Sequence, residues 1–289
     1  MTLARIVHLA DLHLGPASAP SVLDGLEAFV PELEADLIVV GGDLSERARH
    51  GELLAARGTI RRIAAGRPVL VIPGNHDVQW WWRPFVPIGR RALVRNYTHY
   101  FGADLVPTIE LPGVIVASAL TSYGLTWGSL TMNPVDLAVK GHLPAAEVRR
   151  VTSVFTAAPP GAARVLVVHH NVLPGPLTGR LGLARWRQAQ RRLAGCGADL
   201  LLCAHDHEER AELLDGRIVV ATTGTISTRV RGQRPQAFNV LEIAADRIGV
   251  TFHRWDAGGG RFRASDVHTF MRRGTAGPVG HELEAARDS

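Results

Sequence analysis

Lysine is nearly missing from this 289-residue chain: Lys140 is the only one, and arginine supplies the rest of the 32 basic residues. The formal charge of +5 and the pI near 10 therefore rest on arginines scattered without a dense run. That pattern reads as a compositional skew rather than a nucleic-acid-binding stripe. It suits an anionic substrate without selecting one, and it leaves a nucleic-acid partner open. The two cysteines, Cys196 and Cys203, form no CxxC pair and are too few for a disulfide framework. Cys203 ends an apolar run and is expected in buried packing, so nothing calls for an oxidising compartment. No apolar stretch approaches the roughly 18 residues of a membrane span. Asp11 and His13 interrupt the first apolar run too early for a signal peptide. The expectation is a soluble cytoplasmic protein with no membrane partner. Repeats and long linkers are missing too, so one domain is expected over residues 1–270, followed by a polar tail, 271–289, that frays.

What the chain does have is a recurrent junction. Five short apolar runs, Ile6–Ala10, Leu37–Val40, Val69–Ile72, Val165–Val168 and Leu200–Cys203, read as buried strands. Each ends in polar residues: Asp11-Leu12-His13, Gly41-Gly42-Asp43, Gly74-Asn75-His76-Asp77, His169-His170 and His205-Asp206-His207. If those strands share a sheet, their carboxyl ends line one edge, where ligands of open α/β sheets bind.

Amphipathic helices are predicted over Ser21–Glu34 and Glu46–Ala65, giving βαβαβ and a parallel sheet. The stretch from Val78 to about Leu143 is less legible, apart from a strand over Val114–Leu120. Helices follow from Pro144 to about Ala157 and near Ala184–Leu193. Past Arg210 only strands are predicted: Ala211–Leu214, Arg217–Ala221, Phe238–Ile243 and Ile248–Arg254. Asp215-Gly216 is a two-residue hairpin signal.

The ligand types at the strand ends form a metal-binding vocabulary. In an extended segment Asp11 and His13 share one side, as do His205 and His207. Asp43 has two oxygens and can bridge two cations; Asn75 adds a neutral oxygen and His169 a nitrogen. Mixed imidazole and carboxylate sets suit Zn, Fe, Mn, Co or Ni rather than Ca. Asp77 is expected to orient His76 or cap a turn, and Asp206 to be solvated or structural.

In their order, Asp11-x-His13, Gly42-Asp43, Gly74-Asn75-His76-Asp77, His169 and His205-x-His207 resemble the motif set of the calcineurin-like metallophosphoesterases. The likeness spans roughly residues 5 to 255. Gly224-Thr225 through Asn239-Val240 is similar to the bacterial branch that includes class III cyclic-nucleotide phosphodiesterases. The resemblance implies a four-layer αββα sandwich of two mixed β-sheets with flanking helices. It also implies two divalent or trivalent transition-metal ions, Mn, Fe or Zn. The first would take Asp11, His13, Asp43 and His207; the second Asp43, Asn75, His169 and His205. His76 would stay unligated and face the substrate, with His170 behind the ligands. Ala204 replaces a usual glycine and Asn171 a common proline, and neither change removes a ligand.

Two such ions can hold a hydroxide for in-line attack on phosphorus, with His76 protonating or stabilising the departing oxygen. The implied activity is a metal-dependent phosphodiesterase acting on a small phosphoester such as a cyclic nucleotide. The alternatives are a phosphomonoesterase, a nuclease working with a partner, and a non-catalytic scaffold like the retromer subunit of this fold. Trp80, Trp81, Trp82 and Phe85 are candidates for base stacking, against a reading as buried or interface residues. Arg229, Arg231 and Arg234 are candidates for meeting an anionic substrate, against a reading as a solvated loop. The sequence leaves the oligomeric state open.

Overall fold

The computed structural model describes residues 2–79, 90–124, 129, 136 and 139–272. In chain order the strands are β1 (Thr2–Leu9), β2 (Leu37–Val40), β3 (Val69–Val71), β4 (Thr108–Leu111), β5 (Val114–Ser118) and β6 (Ala163–His170), then β7 (Leu200–Ala204), β8 (Arg210–Leu214), β9 (Ile218–Thr222), β10 (Ala237–Ala244), β11 (Arg247–Asp256) and β12 (Arg261–Met271). The helices are α1 (Pro20–Phe29), extended by a 3₁₀ turn, Val30–Leu33, then α2 (His50–Ala64), α3 (Arg90–Leu93), α4 (Arg95–Phe101), α5 (Ala145–Ala157) and α6 (Trp186–Ala194).

The strands form two six-stranded mixed sheets, ordered β12-β11-β10-β1-β2-β3 and β4-β5-β6-β7-β9-β8. In the first, β1, β2 and β3 are parallel and β10 joins β1 antiparallel. In the second, β5, β6, β7 and β9 run parallel. Alternate strand residues point to opposite faces, so each sheet has an inner and an outer side. Ile6, Val39 and Leu70 meet Val116, Val167 and Leu202 between the sheets. On the outer face of the first sheet, Val7, Leu9 and Val40 pack under Leu26 of α1, Ile60 of α2 and Tyr97 of α4. On that of the second, Leu166, Val168 and Leu201 pack under Val151 and Phe155 of α5 and Leu193 of α6. Three apolar layers separate four layers of structure, which is the αββα sandwich.

These are the two mixed sheets that the family resemblance implies, and the five apolar runs are divided between them. The strands ending at Asp11, Asp43 and Asn75 belong to one sheet, and those ending at His169 and His205 to the other. The second helix starts at His50 rather than Glu46. Ala48 at φ 52° interrupts it, and the Ser45 hydroxyl accepts the Ala48 N–H. Asp215 (φ 50°) and Gly216 (φ 63°) make the predicted turn, but Leu214 pairs with Ile218, so Arg217 lengthens the loop by one. β4, α4 and β12 had no counterpart in the expected elements. Met271 closes β12 and Arg272 is buried beside it; the rest of the expected tail, 273–289, lies outside the described residues. So do Trp80, Trp81, Trp82 and Phe85.

Candidate metal centre

Beyond β1 and β2 the two chains stay hydrogen-bonded as they leave the sheet. Asp11 N–H donates to Gly42 O, His13 N–H to Asp43 O and Leu14 N–H to Leu44 O, each at 3.0 Å. Asp11 (φ 53°), His13 (φ 42°) and Asp43 (φ 52°) turn left-handed within this ladder. The extended Asp-x-His geometry expected from the sequence is therefore replaced by coiled backbone. His205 (φ 78°) and His207 (φ 62°) do the same after β7, where Asp206 N–H closes back on Ala204 O at 3.0 Å. Five of the seven candidate ligands thus occupy a region costly for residues with a Cβ, and such outliers cluster at functional sites.

The two carboxylates are each divided between backbone and centre. Asp11 Oδ2 accepts the His205 N–H at 3.0 Å, while Oδ1 lies 3.4 Å from His207 Nε2 and 3.8 Å from His13 Nε2. Asp43 Oδ1 accepts the His76 N–H at 2.8 Å, while Oδ2 lies 3.4 Å from His169 Nε2 and 3.8 Å from His13 Nε2. Asn75 Oδ1 is 3.2 Å from His169 Nε2 and 2.9 Å from His205 Nδ1. His13 and His207 bring their Nε2 atoms to 3.2 Å. Asp43 Oδ2 therefore stands between two groups of donors, one from each reach of the cleft.

Backbone carbonyls fix the rings. His169 Nδ1 faces Gly41 O at 2.8 Å, His207 Nδ1 faces Arg229 O at 2.6 Å, and His76 Nδ1 faces Glu46 O at 2.7 Å. A carbonyl oxygen only accepts, so each Nδ1 carries the proton, and Nε2 of His169 and His207 offers its lone pair inward. His170 differs. Its Nε2 donates to Val139 O at 3.2 Å and its Nδ1 takes the Thr121 hydroxyl at 2.8 Å, which leaves it behind the centre with its ring tilted against that of His205.

The electrostatics match a cation site. Burial pushes the Asp43 carboxyl up, but the charges of His169 and His76 outweigh it and hold the group well below the carboxylate range. Burial pulls His169 down, yet Asp43 raises it to about 9. His207 is likewise raised by Asp11 against burial, whereas burial keeps His13 and His205 well below the usual imidazole range. Two buried carboxylates draw positive charge to the same inward nitrogens, and a metal ion satisfies that demand at the same lone pairs. Asp11 Oδ1 is buried with no hydrogen-bond partner, as a ligand oxygen would be. The residues fit a pair of ions; candidate groups include Asp11 with His13 and His207, and Asp11 with Asp43 and His169. His76 also falls within 4.8 Å of His13 and Asp43 donors.

Asp77 takes the turn-capping role. It accepts N–H bonds from Leu44, Ser45 and Gly74 and the Ser45 hydroxyl, tying the Asp43 loop to the Asn75 loop. Burial and then the Asp43 charge raise its carboxyl to about 6. Asp206 is buried rather than solvated and takes the Thr178 hydroxyl at 2.6 Å. Glu208 accepts the Leu177 and Thr178 N–H groups, and Asn171 donates to the Leu173 and Arg180 carbonyls, so the loop after β6 is pinned as a wall. That wall closes a cavity of about 710 Å³ over His76, Asn75 and His207. Of the arginines weighed for an anionic substrate or a solvated loop, Arg229 and Arg231 line it, whereas Arg234 pairs with Glu209. Sequence reading missed Glu46 and Trp186 on the same walls, for neither sits in a recognisable pattern.

Among the described residues no helix is long and apolar enough to cross a membrane. A relative from Danio rerio, a transmembrane protein with metallophosphoesterase domain, is 29% identical over 102 residues, or 34% of this chain. The match takes in 23% of that relative, so this chain spans under a quarter of its length. A purple acid phosphatase from yellow lupin (Lupinus luteus) seeds superposes on 93% of this chain and 54% of its own, at TM-score 0.64 and 13% identity. A dimetal phosphatase from Danio rerio covers 94% of this chain and all of its own, at TM-score 0.64 and 12% identity. At such identities these structures speak for the fold alone. The calcineurin-like phosphoesterase family itself matches residues 4–209, a span that takes in every candidate ligand from Asp11 to His207. With β2 to β7 and all seven candidate ligands inside a match that covers most of its length, the chain belongs to the calcineurin-like phosphoesterase family.

Proposed function

We propose that this phosphoesterase is a binuclear metal-dependent phosphodiesterase. One observation carries the reading: Asp43 Oδ2 stands between His13 and His169, with one oxygen of each carboxylate already engaged by the backbone of a facing loop. Asp11, His13, Asp43 and His207 would hold one ion; Asp43, Asn75, His169 and His205 the other. Mn, Fe or Zn suits this mixed donor set. Such a pair supplies a water of lowered pKa and neutralises phosphoryl oxygens. With its Nδ1 proton on the Glu46 carbonyl, His76 uses Nε2 to hold and deliver a proton to the departing oxygen. Arg229, on the cavity wall, places a guanidinium where phosphoryl charge gathers.

A diester is favoured because the cavity is roomy and mixed in character, with Trp186, Leu181 and Val139 beside Arg229 and Arg231. That lining accommodates a second ester substituent, including the base of a cyclic nucleotide. Cys196 and Cys203 are free and buried, which supports a cytoplasmic setting. The test is turnover, after Mn or Zn supplementation, of a diester and a monoester that share one nitrophenolate leaving group. The diester is expected to have the higher kcat/KM, by about tenfold or more, the span a substituent held in an apolar pocket supplies. A faster monoester would make the enzyme a phosphomonoesterase. Silence on both, in protein that binds no metal, would leave a scaffold.

A further inference from the structure

Glu46 is 7% exposed at the mouth of the centre, and three functional groups converge on it. Its carbonyl oxygen receives His76 Nδ1 at 2.7 Å. Its Oε1 is paired with the Arg229 guanidinium. Its Oε2 is buried without a hydrogen-bond partner, and 3.7 Å away lies His13 Nδ1, itself buried without one. Two orphaned polar atoms that face each other are each other's missing partner, since neither can reach water and each costs free energy unpaired.

We propose that Glu46 is the positioning residue of His13, completing a carboxylate–histidine–metal relay. This inference rests on the two-ion reading above. His169 and His207 have their Nδ1 protons held by backbone carbonyls, whereas His13 has no such carbonyl and looks to Glu46. With Nδ1–H directed at Oε2, the Nε2 lone pair of His13 points at Asp11, Asp43 and His207. The same carboxylate holds Arg229 on the cavity wall. Glu46 thereby ties a metal ligand, a cavity cation and the candidate acid His76 to one side chain.

The chemistry predicts a specific defect. Arg229 and His13 Nδ1–H are both donors, and a carboxylate has an acceptor oxygen for each. Glu46→Gln keeps the shape but has one acceptor oxygen and an NH₂. With the oxygen kept by Arg229, the NH₂ faces His13 Nδ1 and favours the tautomer whose proton sits on Nε2, blocking the ligand.

The experiment is calorimetric titration of Zn or Mn into the wild-type chain, E46Q, His13→Ala and Arg229→Met. Wild type should bind two ions, and His13→Ala should identify which step belongs to His13. E46Q is expected to weaken that step about 10–100-fold and to leave the other within about twofold, the usual cost of losing such a partner. Arg229→Met should leave both steps within about threefold, since the Oε2 contact survives. Unchanged titration of folded E46Q overturns the proposal, as does an E46Q loss that Arg229→Met reproduces. Should E46Q not fold, the slowly exchanging His13 Nδ1 proton of the Zn-loaded wild type decides by NMR: a shift on Glu46→Asp supports the relay, and no such proton refutes it. Wild type binding no ion would sink the two-ion reading along with it.

Discussion

The imidazole of His76 touches the centre without sharing its donors' arrangement. Its ring sits edge-on to His13 at 4.7 Å, and its backbone N–H, rather than its ring, holds Asp43. On the proposed two-ion reading, a residue anchored in this way would act on the leaving group while the ions act on phosphorus. His76→Ala should therefore cost about 10²–10⁴ in kcat/KM for a diester with an alkoxide leaving group, and about tenfold or less for a nitrophenolate, which departs without a proton. Both ion-binding steps should survive in the variant. Equal losses on the two substrates would remove His76 from the acid role, and loss of an ion would make it a ligand. At this scale the seven candidate ligands could be read from the chain because each is a strong metal donor placed just past an apolar run. Glu46 could not be read, because nothing in Leu44-Ser45-Glu46-Arg47 distinguishes it from the start of the helix that follows. Asp77 was half legible: the cap on its own turn, through the Gly74 N–H, is local, but its bonds to Leu44 and Ser45 in the Asp43 loop are not.

Among the elements, the decisive ones are the turns that leave the strands. Gly42, at φ 99°, and Gly74 let the loops after β2 and β3 pass at close range. A Cβ on Gly42 would lie 2.6 Å from Gly74 N and 2.7 Å from His169 Nδ1. A Cβ on Gly74 would fall 2.0 Å from Asp43 Oδ1 and 2.2 Å from Asp43 N. The neighbour that would have to give is thus the Asp43 carboxylate and its own backbone. Gly74→Ala is expected to displace Asp43 and reduce affinity for both ions, with kcat/KM falling by about 100-fold, as a displacement on the order of 1 Å does. Metal analysis of the purified variant checks this, and a two-ion, fully active Gly74→Ala would show that the loops have slack. The strands that reach the centre were legible because buried parallel strands are continuous apolar runs. β12 was not: its sequence is mostly polar, its side chains are mostly exposed, and backbone pairing to β11 holds it. Helix α5 was legible to its last residue because Pro159 and Pro160 stop it.

At the scale of the molecule, the two sheets are joined at both ends of their strands by polar groups. At the carboxyl end, Asp11, His13, Asp43 and Asn75 come from the first sheet and His169, His205 and His207 from the second. At the other end, Arg272 follows β12 and reaches across. It bonds Asp199 Oδ2 at 3.2 Å, Ala245 O at 3.3 Å, Gly161 O at 2.8 Å and Ala162 O at 2.7 Å. Ala163 begins β6, and Thr2 at the start of β1 pairs with Ala244, so this clasp is remote from the centre. Ions bound between loops of both sheets must then stabilise the fold as a whole. At a free concentration about 100 times Kd, each ion should add about 2.7 kcal/mol to the unfolding free energy, all of it lost on chelation. Arg272→Ala should cost about 3 kcal/mol or more by leaving a buried pair and several carbonyls unmet. Being distant, the two effects should add within about 0.5 kcal/mol. Urea unfolding of wild type and Arg272→Ala, each with metal and with chelator, measures all four corners. A midpoint indifferent to chelator would mean that no ion bridges the sheets, and the binuclear reading would fall while the fold stood.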